Sequence, residues 1–286
     1  AETVEKTPRY FSMTPFASAA ARRPTPVPGK HAAGPADRSA SARARAARPT
    51  TRIMSAKYIQ VASHDVSGCA AWEKMVAGMV AAPEAEQPPH MALIKKFWCG
   101  KTSTQNNVSV CHCIEGKENL DKVQELFKPD SEFLKGFTQS PVMKDHADSM
   151  KWNNFEVMVE YPKGESTWSG VEEGDILGVY SHGVPSAAEW AKIFENAVSA
   201  DEGAMHKNSG IVKSFGGKMF DSEWKAAEGA EAVAVIHVFK SLDDKAKFDK
   251  MFDPTGDFFG GMIAAGGAFE PFYSLSNGPI FILDGK

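Results

Sequence analysis

A sixteen-residue stretch occurs twice in this chain. VASHDVSGCAAWEKMV at 61–76 returns 118 residues later, without a gap, as VYSHGVPSAAEWAKIF at 179–194. Val61/Val179, Ser63/Ser181, His64/His182, Val66/Val184, Ala70/Ala188, Trp72/Trp190 and Lys74/Lys192 are identical. A Trp pair and a Ser-His pair held in one register mark an internal duplication. The fold therefore has to be built from two like units, each contributing its own strand-to-helix corner. The 286 residues give room for about two domains of ~100–150 residues.

In the first copy, Lys57 to Ser63 alternates as a strand and His64 to Gly68 turns. Ser67 is the expected N-cap of a helix from Cys69 to about Val80. Trp72, Met75, Val76 and Met79 fall on one face of it. Pro83, Pro88 and Pro89 interrupt. Met91 to Trp98 and Val108 to Glu115 read as two further strands, Leu120 to Phe127 as a helix, and Phe155 to Tyr161 as the last strand. The order is β-α-β-β-α-β, the ferredoxin-like pattern.

The second copy repeats that order from Asp175 to Leu283, after a Gly/Ser/Glu-rich linker at 164–174. Lys95-Lys96-Phe97 aligns with Lys213-Ser214-Phe215 at the same offset of 118. An insertion near Trp224 then lengthens the offset to 125, pairing His112 with His237. In the third strand Val108, Val110, His112 and Ile114 share one face, and Ser109, Cys111 and Cys113 the other. Neither face is charged, so both are expected to be covered.

The expected fold class is α+β: two tandem ferredoxin-like repeats, 57–163 and 175–286, packed sheet to sheet as an intrachain α+β barrel. An extended tail at 1–56 precedes them. This topology resembles the dimeric α+β barrel superfamily, over residues 57–286. Members of that group include small monooxygenases acting on aromatic substrates between sheet and helices. They also include haem enzymes similar to chlorite dismutase, with a His axial ligand. The resemblance implies that an enzyme of this kind would use His112 or His237.

The residues themselves favour a plainer reading of the histidines. His64, His112, His182 and His237 form two symmetric pairs, whereas a ligand or base for one site is needed once. They are read as serving the fold. Alternation puts His112 opposite Cys111 and Cys113, so Cys-His-Cys cannot share one ion. No metal and no cofactor is expected. The four cysteines read as reduced thiols, with Cys111 and Cys113 roughly 7 Å apart in a strand, too far for a disulfide. The glycines of FFGGMIAAGGAF at 258–269 lack the Lys-Ser/Thr of a phosphate loop.

Charge divides the chain. Residues 1–57 hold 11 Lys/Arg against 3 Asp/Glu; the rest is net −12, giving −4 in all. An acidic body repels phosphate, and the tail's arginines have no interleaved aromatics, so nucleic acid is excluded as a partner. The longest apolar run, 258–269, is 12 residues, against the ~20 a membrane helix needs. The tail is Arg- and Ser-rich and acid-poor, as organelle transit sequences are. Its start at Ala1 is read as upstream processing.

Two functions are expected from this. The first is a non-catalytic accessory subunit. It would sit peripherally on a large organellar membrane complex, photosystem I of a plastid thylakoid, with the mitochondrion as the alternative organelle. Tyr10, Phe11, Phe16, Arg22, Arg23, Arg43, Arg45 and Arg48 of the tail would hold the partner subunits. The second is an antibiotic-biosynthesis-monooxygenase-like or haem-binding barrel enzyme acting on a small aromatic or haem-related ligand. An open cavity with a histidine facing it would separate the second from the first.

Overall fold

The strands at 57–65, 107–115 and 176–184 are buried along nearly their whole length, and the sheet they belong to shows why. The computed structural model describes residues 55–162, 168–199, 210–223, 225–226, 228–251 and 273–284. All but the last two residues of the basic tail lie outside these, as does the Gly-rich stretch at 258–269. The first unit comprises β1 (Lys57–Asp65), α1 (Cys69–Ala81), β2 (Ile94–Thr102), β3 (Asn107–Glu115), α2 (Lys117–Leu126), α3 (Glu132–Thr138) and β4 (Lys151–Tyr161). The second comprises β5 (Ile176–Val184), α4 (Ala187–Ser199), β6 (Ile211–Phe220), β7 (Glu231–Phe239), α5 (Leu242–Met251) and β8 (Tyr273–Asp284).

The eight strands close into one antiparallel ring in the order β1-β3-β2-β8-β5-β7-β6-β4. Read from β4, the ring runs β4-β1-β3-β2 and then β8-β5-β7-β6. The same order thus occurs twice. The two runs do not form separate sheets stacked face on face. They are hydrogen-bonded edge to edge, β2 to β8 and β4 to β6, which leaves no strand of the ring unpaired. The inner face is filled by Ile59, Val61, Trp98, Cys111, Cys113, Phe155, Phe215 and Ile236 from both runs. Trp168 and Val171 join them from the segment read as a polar linker; Trp168 also donates from Nε1 to Glu115 Oε1 at 3.1 Å. These described residues form one packed hydrophobic cluster inside the ring.

The outer face carries the helices. Tyr58, Ala62, Phe97, Val108, Val110 and Ile114 meet Trp72 and Val76 of α1 and Leu120 and Val123 of α2. In the second unit Tyr180, Val233, Val235 and Phe239 meet Trp190 and Phe194 of α4 and Phe248 of α5. The alternation expected for the third strand holds: Val108, Val110 and Ile114 point outward, Cys111 and Cys113 inward. All four cysteines are free, three of them buried. Burial pushes the Cys111 thiol up to about 12, so it is inert as a nucleophile.

Three local expectations are corrected. Gly68, not Ser67, is the N-cap of α1, in extended backbone and with no side-chain cap. Residues 89–92 form a single 3-10 turn rather than strand, because Pro89 opens it at a helix N-terminus. Phe97 does not align with Phe215. The pairing sets Phe97 opposite His112 and Ser214 opposite His237, so the true correspondence on this strand is offset by 117. A one-residue slip exchanges the faces of a strand. Phe97 lies on the helix side and Phe215 inside the ring.

Candidate functional site

A cavity of about 390 Å³ lies between the first unit's outer sheet face and its helices. Ala62 and His64 of β1, Phe97 of β2 and Val110 and His112 of β3 form its floor. Trp72, Met75, Val76 and Met79 of α1 wall one side. These are the four residues that helical periodicity puts on one face. Phe133 and Phe137 of α3 cover it, His90 enters from the 3-10 turn, and Trp152 closes the β4 side. Glu132 is the one Asp, Glu, Lys or Arg of the lining, and it is exposed.

The helix α3 is missed by sequence reasoning, yet it supplies the roof. Its signal is short: Ser131 ahead of Phe133 and Phe137 at i, i+4. Ser131 Oγ accepts from Leu134 N–H at 3.1 Å and donates to the Leu126 carbonyl, so one side chain ends α2 and starts α3. Ser131→Ala is expected to cost about 1 kcal/mol, read as a lower urea midpoint. An unchanged midpoint would show that the cap does not hold the roof.

His112 is the best-defined polar group of the site. Its Nδ1 lies 2.8 Å from Gln60 Oε1, its direct partner across the β1–β3 pair. An amide oxygen only accepts, so Nδ1 carries the proton and Nε2 keeps its lone pair. The imidazole is stacked with Phe97 at 5.3 Å and with Phe127 at 5.6 Å between centroids. His90 lies 5.3 Å away. Burial, and secondarily His90, holds His112 well below the usual imidazole range, so it is neutral at pH 7.

His64 and His90 share that condition. They are 2% and 4% exposed. Burial lowers each to about 4. Both ring nitrogens of His64, and Nδ1 of His90, have no hydrogen-bond partner. Such groups typically cost about 1–3 kcal/mol each. His90 was not among the sequence candidates; its only cue is the Pro-Pro pair before it, in a segment where the two units differ.

His237, the second candidate, stands in a different setting. Its Nδ1 faces Ser214 Oγ at 2.7 Å, on β6 rather than on the first strand of its unit. Tyr180 and Phe194 pack against it, at 5.7 and 6.3 Å between centroids. The corresponding residues beside His112 are Ala62 and Val76, which border the cavity. Tyr180 also donates to Asp249 Oδ1 at 2.8 Å, which fixes the ring in that position. His182, the counterpart of His64, is likewise buried and lowered to about 4. The eight tail residues expected to hold a partner, Tyr10 to Arg48, lie outside the described residues.

Among the described residues no group of three His, Cys, Asp or Glu side chains could hold a metal ion. A haem does not fit the donor set. It would bring two propionates, and the cavity is lined by no Lys or Arg, while its single acidic residue is Glu132.

No protein-family model matches the chain, and no curated protein matches it in sequence. Solved structures do match in fold. An anthrone oxidase-like protein superposes with a TM-score of 0.52 at 13% identity, covering 80% of this chain and 93% of that one. A candidate monooxygenase from Fusobacterium nucleatum subsp. nucleatum gives 0.51 at 9% identity, covering 80% and 95%. The fold is therefore that of the ferredoxin-like α+β barrel proteins. The first expected function, an accessory subunit of photosystem I, is overturned. These fold neighbours and the histidine-lined cavity stand against it. The expectation rested on the tail's composition, which carries no information about the space between sheet and helices.

Proposed function

We propose that this protein is an α+β-barrel enzyme of the antibiotic-biosynthesis-monooxygenase type. It takes a small, uncharged, planar aromatic molecule between the outer sheet face and α1 and α3. The observation that carries this reading is His112: a neutral imidazole, its tautomer set by Gln60, facing a cavity walled by aromatic rings and methionines. Cavities of this size and lining suit drug-sized apolar ligands. A repeated strand order, β4-β1-β3-β2 then β8-β5-β7-β6, supports a tandem origin for the two units.

The chemistry follows from the lone pair on Nε2. A substrate with an acidified C–H, such as the methylene of an anthrone-type ring system, gives its proton to His112. The carbanion left behind is electron-rich and adds to molecular oxygen. The imidazolium returns the proton to the substrate peroxide. Loss of water then leaves a carbonyl where the methylene was. The apolar walls lower the local dielectric and keep water from the carbanion.

The test uses the full chain and anthrone as probe. Trp72 and Trp152 border the cavity, so binding is expected to quench tryptophan emission in a saturable way. Oxygen uptake above the buffer rate is expected with it. Saturable quenching without oxygen uptake would keep the ligand site and reject the oxygenase. Absence of both would reject the reading outright.

A further inference from the structure

Building on the reading of the cavity as an aromatic-ligand site, we infer that His64 is a specificity-determining residue. It receives a hydroxyl or carbonyl at the end of the ligand remote from His112. Two observations carry this. His64 borders the cavity and is 2% exposed, yet neither ring nitrogen has a partner. A neutral imidazole offers one donor and one acceptor, so a single hydroxyl satisfies either.

The second observation is spacing. His112 stands opposite Gln60, and His64 is four residues further along the same strand. Their backbones are therefore ~13 Å apart along the strand direction. The roof runs between the same two ends over a shorter span, ~6 Å of helix rise from Phe133 to Phe137. Phe133 packs on His90 at 5.0 Å near the His112 end, and Phe137 packs on His64 at 6.0 Å. The two imidazoles thus mark opposite ends of one elongated, flat space. The ligand class that satisfies both is a linear fused-ring aromatic, uncharged, with a hydrogen-bonding group at each end. A short phenol would leave one end unmet.

The experiment compares two probes on the full chain by tryptophan quenching. 2,6-Dihydroxyanthraquinone has hydroxyls at both ends, and 2-hydroxyanthraquinone has one. The doubly substituted probe is expected to bind roughly 3- to 10-fold more tightly, the range of one net neutral hydrogen bond. His64→Leu is expected to erase that difference. His64→Gln, which keeps a donor and an acceptor, is expected to retain part of it. Equal affinities in the unmodified protein would overturn the assignment while leaving the ligand site intact. A preference that persists in His64→Leu would do the same. Failure of both probes to bind would remove the site itself, and with it this inference. Should His64→Leu not fold, the two-probe ratio in the unmodified protein and in His64→Gln decides alone.

Discussion

Lowering the pH from 7 to 5 is expected to remove roughly 6 kcal/mol of folding stability from this protein. The cause is three buried, neutral imidazoles, His64, His90 and His182, each lowered to about 4. Desolvation is the leading cause in all three; at His64 the neighbouring Asp65 opposes it and His146 adds to it. An unfolded histidine titrates near 6.5. Below that value the unfolded chain takes up protons that the folded one refuses, so acid favours unfolding. Stability is complete above about 6.5 and is lost as the pH falls toward 4. At pH 5 each imidazole contributes a loss of about 2 kcal/mol. Total stabilities of domains are ~5–15 kcal/mol, so the loss is a large share of the whole. Urea unfolding at the two pH values measures it directly. A midpoint that does not move between pH 7 and pH 5 would show that these rings are either charged or wet in the folded state.

Removing the base has the second large effect. His112→Leu is expected to lower the anthrone-dependent oxygen uptake by ~10²–10⁴-fold, the usual contribution of a positioned general base. Ligand binding, read by quenching, should change far less, because the apolar walls remain. The substitution also strands Gln60, which is 3% exposed and would lose the partner of its amide oxygen. That alone costs about 1–3 kcal/mol. The double variant Gln60→Leu/His112→Leu removes the orphan amide and separates lost chemistry from lost fold. Uptake within threefold of the unmodified protein in either variant would refute the assigned role of His112. Gln60→Leu alone tests the tautomer. It frees the ring to protonate at either nitrogen, so activity is expected to fall with the protein still folded.

Much of the scaffold is legible in the sequence. Alternation in VSVCHCI assigns the correct face to every residue of β3, because a strand between two apolar layers has no freedom to rotate. The stripe Trp72, Met75, Val76 and Met79 names one wall of the cavity before any coordinates. What the sequence does not reveal is the space itself. A cavity is an absence of volume, and here it depends on Ala62 and Val76 being small where Tyr180 and Phe194 are large. Both pairs are apolar or aromatic, so neither breaks the hydrophobic pattern. Symmetry treats His112 and His237 alike, because the same residue type recurs, but the partner changes from Gln60 on β1 to Ser214 on β6. The Phe97 slip arises before the strand: β2 and β6 carry their register shifts at equivalent places, Ile94/Lys96 and Ile211/Lys213, so the offset of 117 is already set where each strand begins. His90 and α3 fall in segments of irregular period, a proline turn and a seven-residue helix, where pattern reading has least to work with.

The closed ring also sets the order in which this protein can be made. β8 pairs with β2 on one side and β5 on the other, and its contacts with β2 reach back across more than half of the chain. During synthesis the first unit can assemble β4-β1-β3-β2 as soon as it leaves the ribosome. Both margins, β2 and β4, then stand open until their partners in the second unit emerge. Such margins are templates for pairing with other chains. Contacts this distant in sequence also form slowly, after the cost of closing a long loop. The nascent chain therefore passes through a period of exposed strand edges, which ends only when β8 is drawn in.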